Sequence, residues 1–268
     1  MTRLSALTHR LREEGHKPLV PFLTAGFPDP ATFAGVMGAA AEAGCPLVEI
    51  GIPFSDPVAD GPIIQAASQR VLEQGMTLRK TLDLAEAASR DHNLGVVLMG
   101  YLNPILKMGS EAFADACGKA SVAGVIVPDL PLEEATDLRE QLLVRGTDLV
   151  DLVAPTTDPD RLTRHATAAG GFLYLVSTTG VTGSAPGTGD HLEEYVARVR
   201  KTNPLPLYVG FGIAEPAQAT RVAACADGAV VGSALIRIID AAENGAAAVQ
   251  AAGEFLKKMN TAMTSGKD

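Results

Sequence analysis

Two carboxylates close together in the sequence have the types and the setting for proton-transfer chemistry. Glu49 lies between Val48 and Ile50 in an apolar stretch, and Asp60 ends a loop rich in proline and glycine. An ionised side chain away from water is strongly disfavoured unless it is paired, so Glu49 is expected to face a polar pocket or to have a shifted pKa. Two acids held in this way suit general acid and base catalysis. The structural alternative is that Glu49 pairs with a buried cation and Asp60 caps the following helix.

The elements that must position these acids follow a repeating pattern. Short apolar runs alternate with Ala-rich amphipathic stretches, which is typical of strands covered by helices. Eight such units fit within 268 residues, 47% of them hydrophobic, and an eightfold βα barrel typically has roughly 250 residues. An open doubly wound sheet would alternate in the same way, but eight units without a linker favour closure. The sequence therefore predicts an α/β protein, a single (β/α)8 TIM-barrel domain over residues 1–268.

The same pattern predicts the bounds of the elements. The predicted strands are Leu19–Thr24, Leu47–Ile50, Gly95–Met99, Gly124–Val127, Asp148–Leu152, Phe172–Val176, Leu207–Gly210 and Ala229–Gly232. The predicted helices are Pro30–Ala43, Pro62–Glu73, Leu78–Asp91, Ser110–Ala120, Leu132–Arg145, Asp158–Ala168, His191–Lys201, Pro216–Ala224 and Ala246–Thr261. An extra N-terminal helix is expected within 1–18, a short helix at Ser233 after the eighth strand, and a terminal tail over 263–268.

Polar side chains gather where the predicted strands end. Active sites of βα barrels are built at that face, from the loops that follow the strands. The polar residues at these ends are Thr24, Glu49, Asp60, Tyr101, Asn103, Asp129 and Tyr174. Tyr174 and Phe22 are equally consistent with core packing, and Asp129 is expected to cap the next helix rather than to take part in chemistry.

Glycines form a second group, after the last three predicted strands. They occur in Gly180-Val181-Thr182-Gly183, Gly210-Phe211-Gly212 and Gly232-Ser233. Barrels often bind a phosphate at this place with backbone N–H groups and the N-terminus of a short helix. No Gly-Lys-Ser/Thr ending and no Gly-x-Gly-x-x-Gly after the first strand is present, which argues against ATP and NAD. The loop 177–190, rich in Gly, Ser, Thr and Pro, is predicted to be a mobile lid.

Charge and cysteine content argue against several other classes of function. The 22 basic and 31 acidic residues give a net charge of −9 without long runs, which disfavours a nucleic-acid or anionic-membrane surface. Cys45, Cys117 and Cys225 are widely spaced among small residues, which predicts reduced thiols rather than a disulfide or a zinc site. The five histidines lack metal-ligand spacing, so no metal is predicted. The N-terminal stretch has no secretory apolar segment, so the expected location is the cytoplasm.

Five segments of the chain resemble the α subunit of tryptophan synthase, and the resemblance covers nearly the whole sequence. They are Pro21–Gly26, Glu49–Gln65, Gly180–Gly183, Gly210–Ile213 and Gly232–Ala234, of which the second is highly specific. The resemblance implies a lyase that cleaves indole-3-glycerol phosphate to indole and glyceraldehyde 3-phosphate in tryptophan biosynthesis. It also implies an α-β-β-α heterotetramer in which the β subunit receives the indole and holds pyridoxal phosphate, so that this chain carries no cofactor.

The resemblance further implies a role for each matching residue. Glu49 would protonate indole C3 and take the proton from the glycerol hydroxyl, while Asp60 would accept the indole N–H and stabilise the charge on the ring. The other implied residues are Tyr174 and Thr182 in support, Phe22, Met99, Tyr101 and Ile213 around the indole, Gly183, Gly212, Gly232 and Ser233 around the phosphate, and Asp56 and Pro57 at the β-subunit interface. The sequence departs from the family at Thr178-Thr179, where many relatives carry an arginine. The resemblance therefore does not predict how the lid signals between subunits.

Two other functions remain open at this point. A phosphate-binding barrel could instead be a sugar-phosphate isomerase or aldolase, but a Schiff-base aldolase needs a lysine at a strand end, and the lysines lie elsewhere. The chain could also serve mainly as a regulatory subunit that activates a β partner. Intact Glu49 and Asp60 argue against lost chemistry, although the two roles can coexist.

Overall fold

Eight parallel strands form a closed barrel in which each strand pairs with the next in sequence and the eighth pairs with the first. The computed structural model describes residues 1–176, 191–210 and 212–264. The strands are β1 (Leu19–Thr24), β2 (Leu47–Gly51), β3 (Gly95–Met99), β4 (Gly124–Ile126), β5 (Asp148–Val153), β6 (Leu173–Val176), β7 (Leu207–Gly210) and β8 (Gly228–Val231). The predicted (β/α)8 fold is confirmed, and each predicted strand is found within one residue of its expected bounds.

Helices surround the barrel. In the described ranges they are α1 (Arg3–Glu13), α2 (Pro30–Glu42), α3 (Pro62–Glu73), α4 (Leu78–His92), α5 (Leu102–Met108), α6 (Ser110–Lys119), α7 (Thr136–Leu143), α8 (Pro159–Ala168), α9 (Leu192–Arg200), α10 (Pro216–Cys225), α11 (Ser233–Asp240) and α12 (Gly245–Thr264). The expected extra helices before β1 and after β8 are therefore present as α1 and α11. Of these described helices, none is both long and apolar enough to cross a membrane.

One helix is absent from the prediction, and two predicted helices have wrong bounds. The absent helix is α5, whose Pro104 lies in the first turn, where a backbone N–H has no intrahelical partner. The helix predicted over 132–145 is a 3₁₀ turn followed by α7, since helix N-termini often tighten in this way. Helix α12 continues past the predicted end at Thr261 to Thr264, and Met263 in its last turn is buried, while the rest of the predicted tail lies outside the described residues.

The strands are buried on both faces, as expected when helices cover a parallel barrel. The register pairs Phe22 of β1 with Glu49 of β2, so an aromatic ring lies beside the buried acid. A Cβ added at Gly51 would lie 2.7 Å from the Phe22 ring, closer than real Cβ contacts allow. Gly51 therefore leaves the room that Phe22 needs to pack next to Glu49.

Helix α1 packs against the amino ends of the strands, opposite the end that carries the polar residues. Leu4 is fully buried, and Cβ atoms added at Gly124 and Gly171 would lie 2.6 Å and 2.4 Å from its side chain. Asp148 of β5 accepts hydrogen bonds from the backbone N–H of Ser5 at 3.0 Å and from its hydroxyl at 2.9 Å. This helix therefore closes the far end of the barrel and leaves only the carboxyl end open.

Candidate active site

Glu49 lies in the middle of β2 and is 1% exposed. Neither of its carboxylate oxygens has a hydrogen-bond partner among the described residues, and no described cation pairs with it. Burial raises the pKa of Glu49 to about 8, and the negative charge of Asp60 adds to the increase. The side chain is therefore protonated at neutral pH. Within the described ranges, this environment does not support the alternative in which Glu49 pairs with a buried cation.

Asp60 lies at the end of the loop between β2 and α3 and is half-buried. Burial raises its pKa to about 6, and a hydrogen bond from the Tyr101 hydroxyl limits the increase. Asp60 therefore remains largely ionised at neutral pH while Glu49 is protonated. The cap residue of α3 is Gly61, without a side-chain cap, and the first helical residue is Pro62. Asp60 is thus not the helix cap that the structural alternative required.

A narrow cavity opens beside Asp60 at the carboxyl end of the barrel. It is lined by Phe22, Thr24, Gly51, Ile52, Asp60, Ile64, Ser68, Met99, Gly100 and Tyr101. Three of the four residues predicted to surround the indole are in this lining: Phe22, Met99 and Tyr101. Ile213 is buried, but it is not among the described residues that line the cavity, so its role stays a prediction.

Some residues of the lining lie outside the predicted site. Ile64 and Ser68 both come from α3, one helical turn apart, and Ile52 directly follows β2. The spacing of Ile64 and Ser68 places them on one face of the helix, and this face could have been recognised from the sequence. The position of that face over the carboxyl end of the barrel depends on the path of the loop after β2. No local sequence pattern specifies this path.

Tyr174 of β6 is buried near both acids. Burial raises the pKa of its hydroxyl well above the usual range, and the negative charges of Glu49 and Asp60 raise it further. The structure therefore places Tyr174 within electrostatic reach of the two carboxylates. The predicted partner Thr182 lies outside the described residues.

The predicted phosphate residues lie after β7 and β8. Gly212 has a φ of 77°, in the left-handed region that favours glycine, and it is exposed. Gly232 precedes α11, and Ser233 is the first residue of that helix. The free N–H groups of the first turn and the helix dipole there suit an anion. A Cβ at Gly232 would lie 3.1 Å from the ring of Phe22, so the N-terminus of α11 lies next to a residue that lines the cavity beside Asp60. Gly183 lies outside the described residues.

The loop that carries Asp60 also presents the predicted interface residues. Asp56 is exposed and accepts a hydrogen bond from the Ser55 hydroxyl at 2.5 Å, while Pro57 is half-buried. Val58 next to them is 78% exposed. Their interface role stays a prediction, because the structure contains one chain.

Asp129 lies in the loop after β4 and contacts a different helix from the one expected. Its carboxylate accepts the backbone N–H of Leu102, the first residue of α5, at 2.9 Å. The 3₁₀ turn that follows Asp129 in sequence has no side-chain cap. The prediction that Asp129 caps the next helix is therefore wrong, because the neighbouring βα loop brings the N-terminus of α5 to it.

No group of His, Cys, Asp and Glu in the described part of the chain has the arrangement to hold a metal ion. Of the described lysines that follow a strand of the site, Lys107 is the nearest to the strand end, and it lies near the end of α5. The described site offers the carboxylates of Glu49 and Asp60, the hydroxyls of Tyr101 and Tyr174, and backbone N–H groups.

Comparisons with known proteins agree over nearly the whole chain. The sequence model of the family described as tryptophan synthase alpha chain matches residues 8–264. The tryptophan synthase alpha chain of Nitratidesulfovibrio vulgaris (strain DP4) is 45% identical over 253 residues, which cover 93% of this chain and 98% of that protein. The crystal structure of tryptophan synthase subunit alpha from Legionella pneumophila str. Paris matches with a TM-score of 0.91 and 35% identity, covering 99% of each chain. A chain of Mycobacterium tuberculosis tryptophan synthase matches with a TM-score of 0.89 and 34% identity, covering 98% of each.

Proposed function

The chain belongs to the tryptophan synthase alpha chain family, and we propose that Glu49 and Asp60 divide between them the proton-transfer work of the family's lyase reaction. The reaction is the retro-aldol cleavage of indole-3-glycerol phosphate to indole and glyceraldehyde 3-phosphate in tryptophan biosynthesis. The alpha chain carries no cofactor for it, since pyridoxal phosphate belongs to the beta subunit. The chemistry therefore rests on side chains and backbone groups.

Glu49 first acts as an acid. The bond between indole C3 and the glycerol carbon breaks only when C3 has gained a proton, because the ring then becomes an acceptor for the electron pair of that bond. Glu49 is protonated at neutral pH because burial raises its pKa to about 8, so it can donate this proton. Its carboxylate then takes the proton of the adjacent glycerol hydroxyl. As the C–C bond breaks, an aldehyde and neutral indole form, and Glu49 is again protonated.

Asp60 stabilises the positive charge that this protonation places on the ring. Its carboxylate accepts the indole N–H, and the bond strengthens as the nitrogen becomes cationic. Asp60 must stay ionised to do this, and its pKa of about 6 meets that requirement. The different environments of the two acids are the observation that carries the proposal: one carboxyl is buried and protonated, and the other is half-buried and ionised.

The remaining residues bind and enclose the substrate. Phe22, Met99 and Tyr101 flank the indole, as their place in the cavity beside Asp60 supports. Gly212 in the loop after β7, and Gly232 and Ser233 at the N-terminus of α11, hold the phosphate with backbone N–H groups. Tyr174 positions Glu49 or the glycerol chain. Residues 177–190, with Thr182 and Gly183, lie outside the described residues, and we propose for them the lid role in the single barrel domain that the sequence predicts.

The family's alpha chain works with a beta subunit, to which the indole passes. We propose the α-β-β-α assembly for this chain, with Asp56 and Pro57 at the contact, and the exposure of Asp56 and Val58 beside the cavity supports this. We also propose that the chain works in the cytoplasm. Its three cysteines are free thiols, of which Cys45 and Cys117 are buried, and free thiols are typical of reducing compartments.

The test is indole release from indole-3-glycerol phosphate by the purified chain, alone and with a cognate beta subunit. Glu49→Gln and Asp60→Asn should each lower kcat by about 100-fold or more, since each removes a positioned proton-transfer or charge-stabilising group. Glu73→Gln, at the exposed end of α3, is the matched control and should leave kcat unchanged. Full activity in either of the first two variants would disprove the assigned roles, and no indole from the wild-type chain in any condition would exclude the lyase itself.

A further inference from the structure

Two hydrogen bonds from β4 and its loop hold the backbone around Tyr101. The N–H of Gly100, before Tyr101, donates to the carbonyl of Ile126 at 3.0 Å. The N–H of Leu102, after Tyr101, donates to the carboxylate of Asp129 at 2.9 Å. The peptide group that carries the Leu102 N–H is attached directly to the Cα of Tyr101. Fixing its orientation therefore fixes the direction in which the Tyr101 side chain leaves the backbone.

No other described side chain makes the cap of α5. Tyr101 is the cap residue of this helix, but its own side chain makes no cap hydrogen bond. Pro104 in the first turn has no N–H to offer. The Leu102 N–H is consequently one of the few donors at this helix end, and Asp129 satisfies it from a neighbouring loop of the barrel.

The Tyr101 side chain in turn contacts the loop that carries the second acid. Its ring packs against Phe54 with a centroid separation of 5.3 Å. Its hydroxyl accepts the backbone N–H of Ala59, the residue before Asp60, at 3.0 Å. The same hydroxyl faces Asp60 across the cavity lining and lowers the pKa of that carboxyl. Tyr101 is 3% exposed, so its ring has little freedom to adjust if its backbone rotates.

We propose that Asp129 is a positioning residue for Asp60, acting through the Leu102 peptide group and the Tyr101 hydroxyl. The inference rests on the proposed function, because it matters for catalysis only if Asp60 stabilises the charged ring. Asp129 is exposed and does not line the cavity, so it has no substrate contact to lose. It fixes the Tyr101 hydroxyl, which holds the Ala59 N–H of the loop that carries Asp60 and lines the same cavity as that carboxylate.

The charge of Asp129 acts in the same direction. Burial raises the pKa of Tyr101, the charge of Asp60 raises it further, and the charge of Asp129 makes a smaller contribution of the same sign. Tyr101 therefore keeps its proton over the whole working range. A protonated hydroxyl has its proton free for Asp60 while it accepts the N–H of Ala59.

The experiment compares Asp129→Ala, Asp129→Asn and Asp158→Ala in the full chain. The Asn variant keeps an oxygen that can accept the Leu102 N–H, so it should retain the hydrogen bond that Asp129→Ala loses. Asp158 caps α8 through the N–H of Arg161 at 2.9 Å, is exposed and lies outside the cavity lining, so Asp158→Ala is a matched loss of a helix cap. The first readout is the pKa of Asp60 from a carboxyl ¹³C NMR titration of the free chain. The second is kcat/KM for indole release across pH.

Asp129→Ala should raise the pKa of Asp60 and move the acid limb of the kcat/KM profile to higher pH, with about a tenfold lower kcat/KM below that limb. Asp129→Asn and Asp158→Ala should leave the Asp60 pKa and the kcat/KM profile close to wild type. Asp158→Ala should nevertheless lose as much thermal stability as Asp129→Ala. In a Tyr101→Phe background, Asp129→Ala should have no further effect on the Asp60 pKa, because the two residues act in series.

An unchanged Asp60 pKa in Asp129→Ala, or an equal shift in Asp158→Ala, would overturn the proposal. Additive effects of Asp129→Ala and Tyr101→Phe on the Asp60 pKa would overturn the route through Tyr101. The NMR readout needs no substrate, so failure of the positioning role is separate from failure of the lyase assignment. A wild-type chain without lyase activity would reject the proposed function alone.

Discussion

The hydroxyl of Tyr174 occupies the space that a side chain at Gly210 would need. A Cβ added at Gly210 would lie 2.0 Å from the Tyr174 oxygen and 2.3 Å from the ring carbon that bears it. The two residues lie on the neighbouring strands β6 and β7, where Tyr174 is paired with Tyr208 and Val176 with Gly210. The glycine at 210 is therefore required by the tyrosine that lies near Glu49 and Asp60, independently of any phosphate contact.

Replacement of Gly210 by alanine should force Tyr174 away from the two acids. Overpacking of this kind typically costs about 1–3 kcal/mol, and displacement of Tyr174 should lower indole release by about tenfold or more. Adding Tyr174→Leu to Gly210→Ala removes the clashing ring, so the double variant should recover the thermal stability that Gly210→Ala loses, while indole release stays low because Tyr174 is absent. Thermal unfolding and steady-state kinetics of both single variants and the double variant check this. A double variant that is no more stable than Gly210→Ala would show that the clash is not the cause.

The pH dependence of kcat/KM should be bell-shaped. Activity requires ionised Asp60, so it rises with pH through a pKa of about 6, and it requires protonated Glu49, so it falls through a pKa of about 8. Because the two acids interact, the two apparent values belong to the pair. Kinetics across the pH range with the free chain provide the test. Residual activity in Asp60→Asn should lack the acid limb, and activity that keeps rising well above the pKa of Glu49 would contradict the acid role.

Glu49 should also make the fold less stable as the pH rises. Its pKa is raised from 4.5 to about 8 in the folded chain, so above pH 4.5 the unfolded chain loses this proton while the folded chain keeps it. This favours unfolding increasingly until the pH passes the folded-state pKa. Glu49→Gln should therefore raise the midpoint of thermal unfolding by about 5 °C or more at alkaline pH and by little at acidic pH. Calorimetric scans at both extremes measure the difference, and a gain that is independent of pH would point to a cause other than ionisation.

The sequence predicted the barrel and its two acids because both depend on local patterns. Apolar strands followed by amphipathic helices are visible along the chain, and Glu49 inside such a strand is costly wherever the strand lies. The cap of α5 by Asp129 was not predictable, because it joins the loops after β3 and β4 through the closed barrel. The need for a glycine at position 210 was not predictable either, because it depends on the ring of Tyr174 on the adjacent strand. Contacts across strands require the register, which a single sequence does not contain.

A negative charge at the N-terminus of α11 should separate phosphate binding from the chemistry. Ser233 is half-buried at the first position of that helix, where the proposed phosphate site uses free N–H groups. Ser233→Asp should raise KM for indole-3-glycerol phosphate about tenfold, since two negative groups then compete for one set of donors, and should change kcat much less. Ser233→Ala keeps the backbone donors and is the matched control. Kinetics with the dephosphorylated substrate complete the test, because Ser233→Asp should abolish the preference for the phosphate ester without slowing turnover of the neutral one. A loss of kcat on both substrates would instead indicate a distorted barrel mouth.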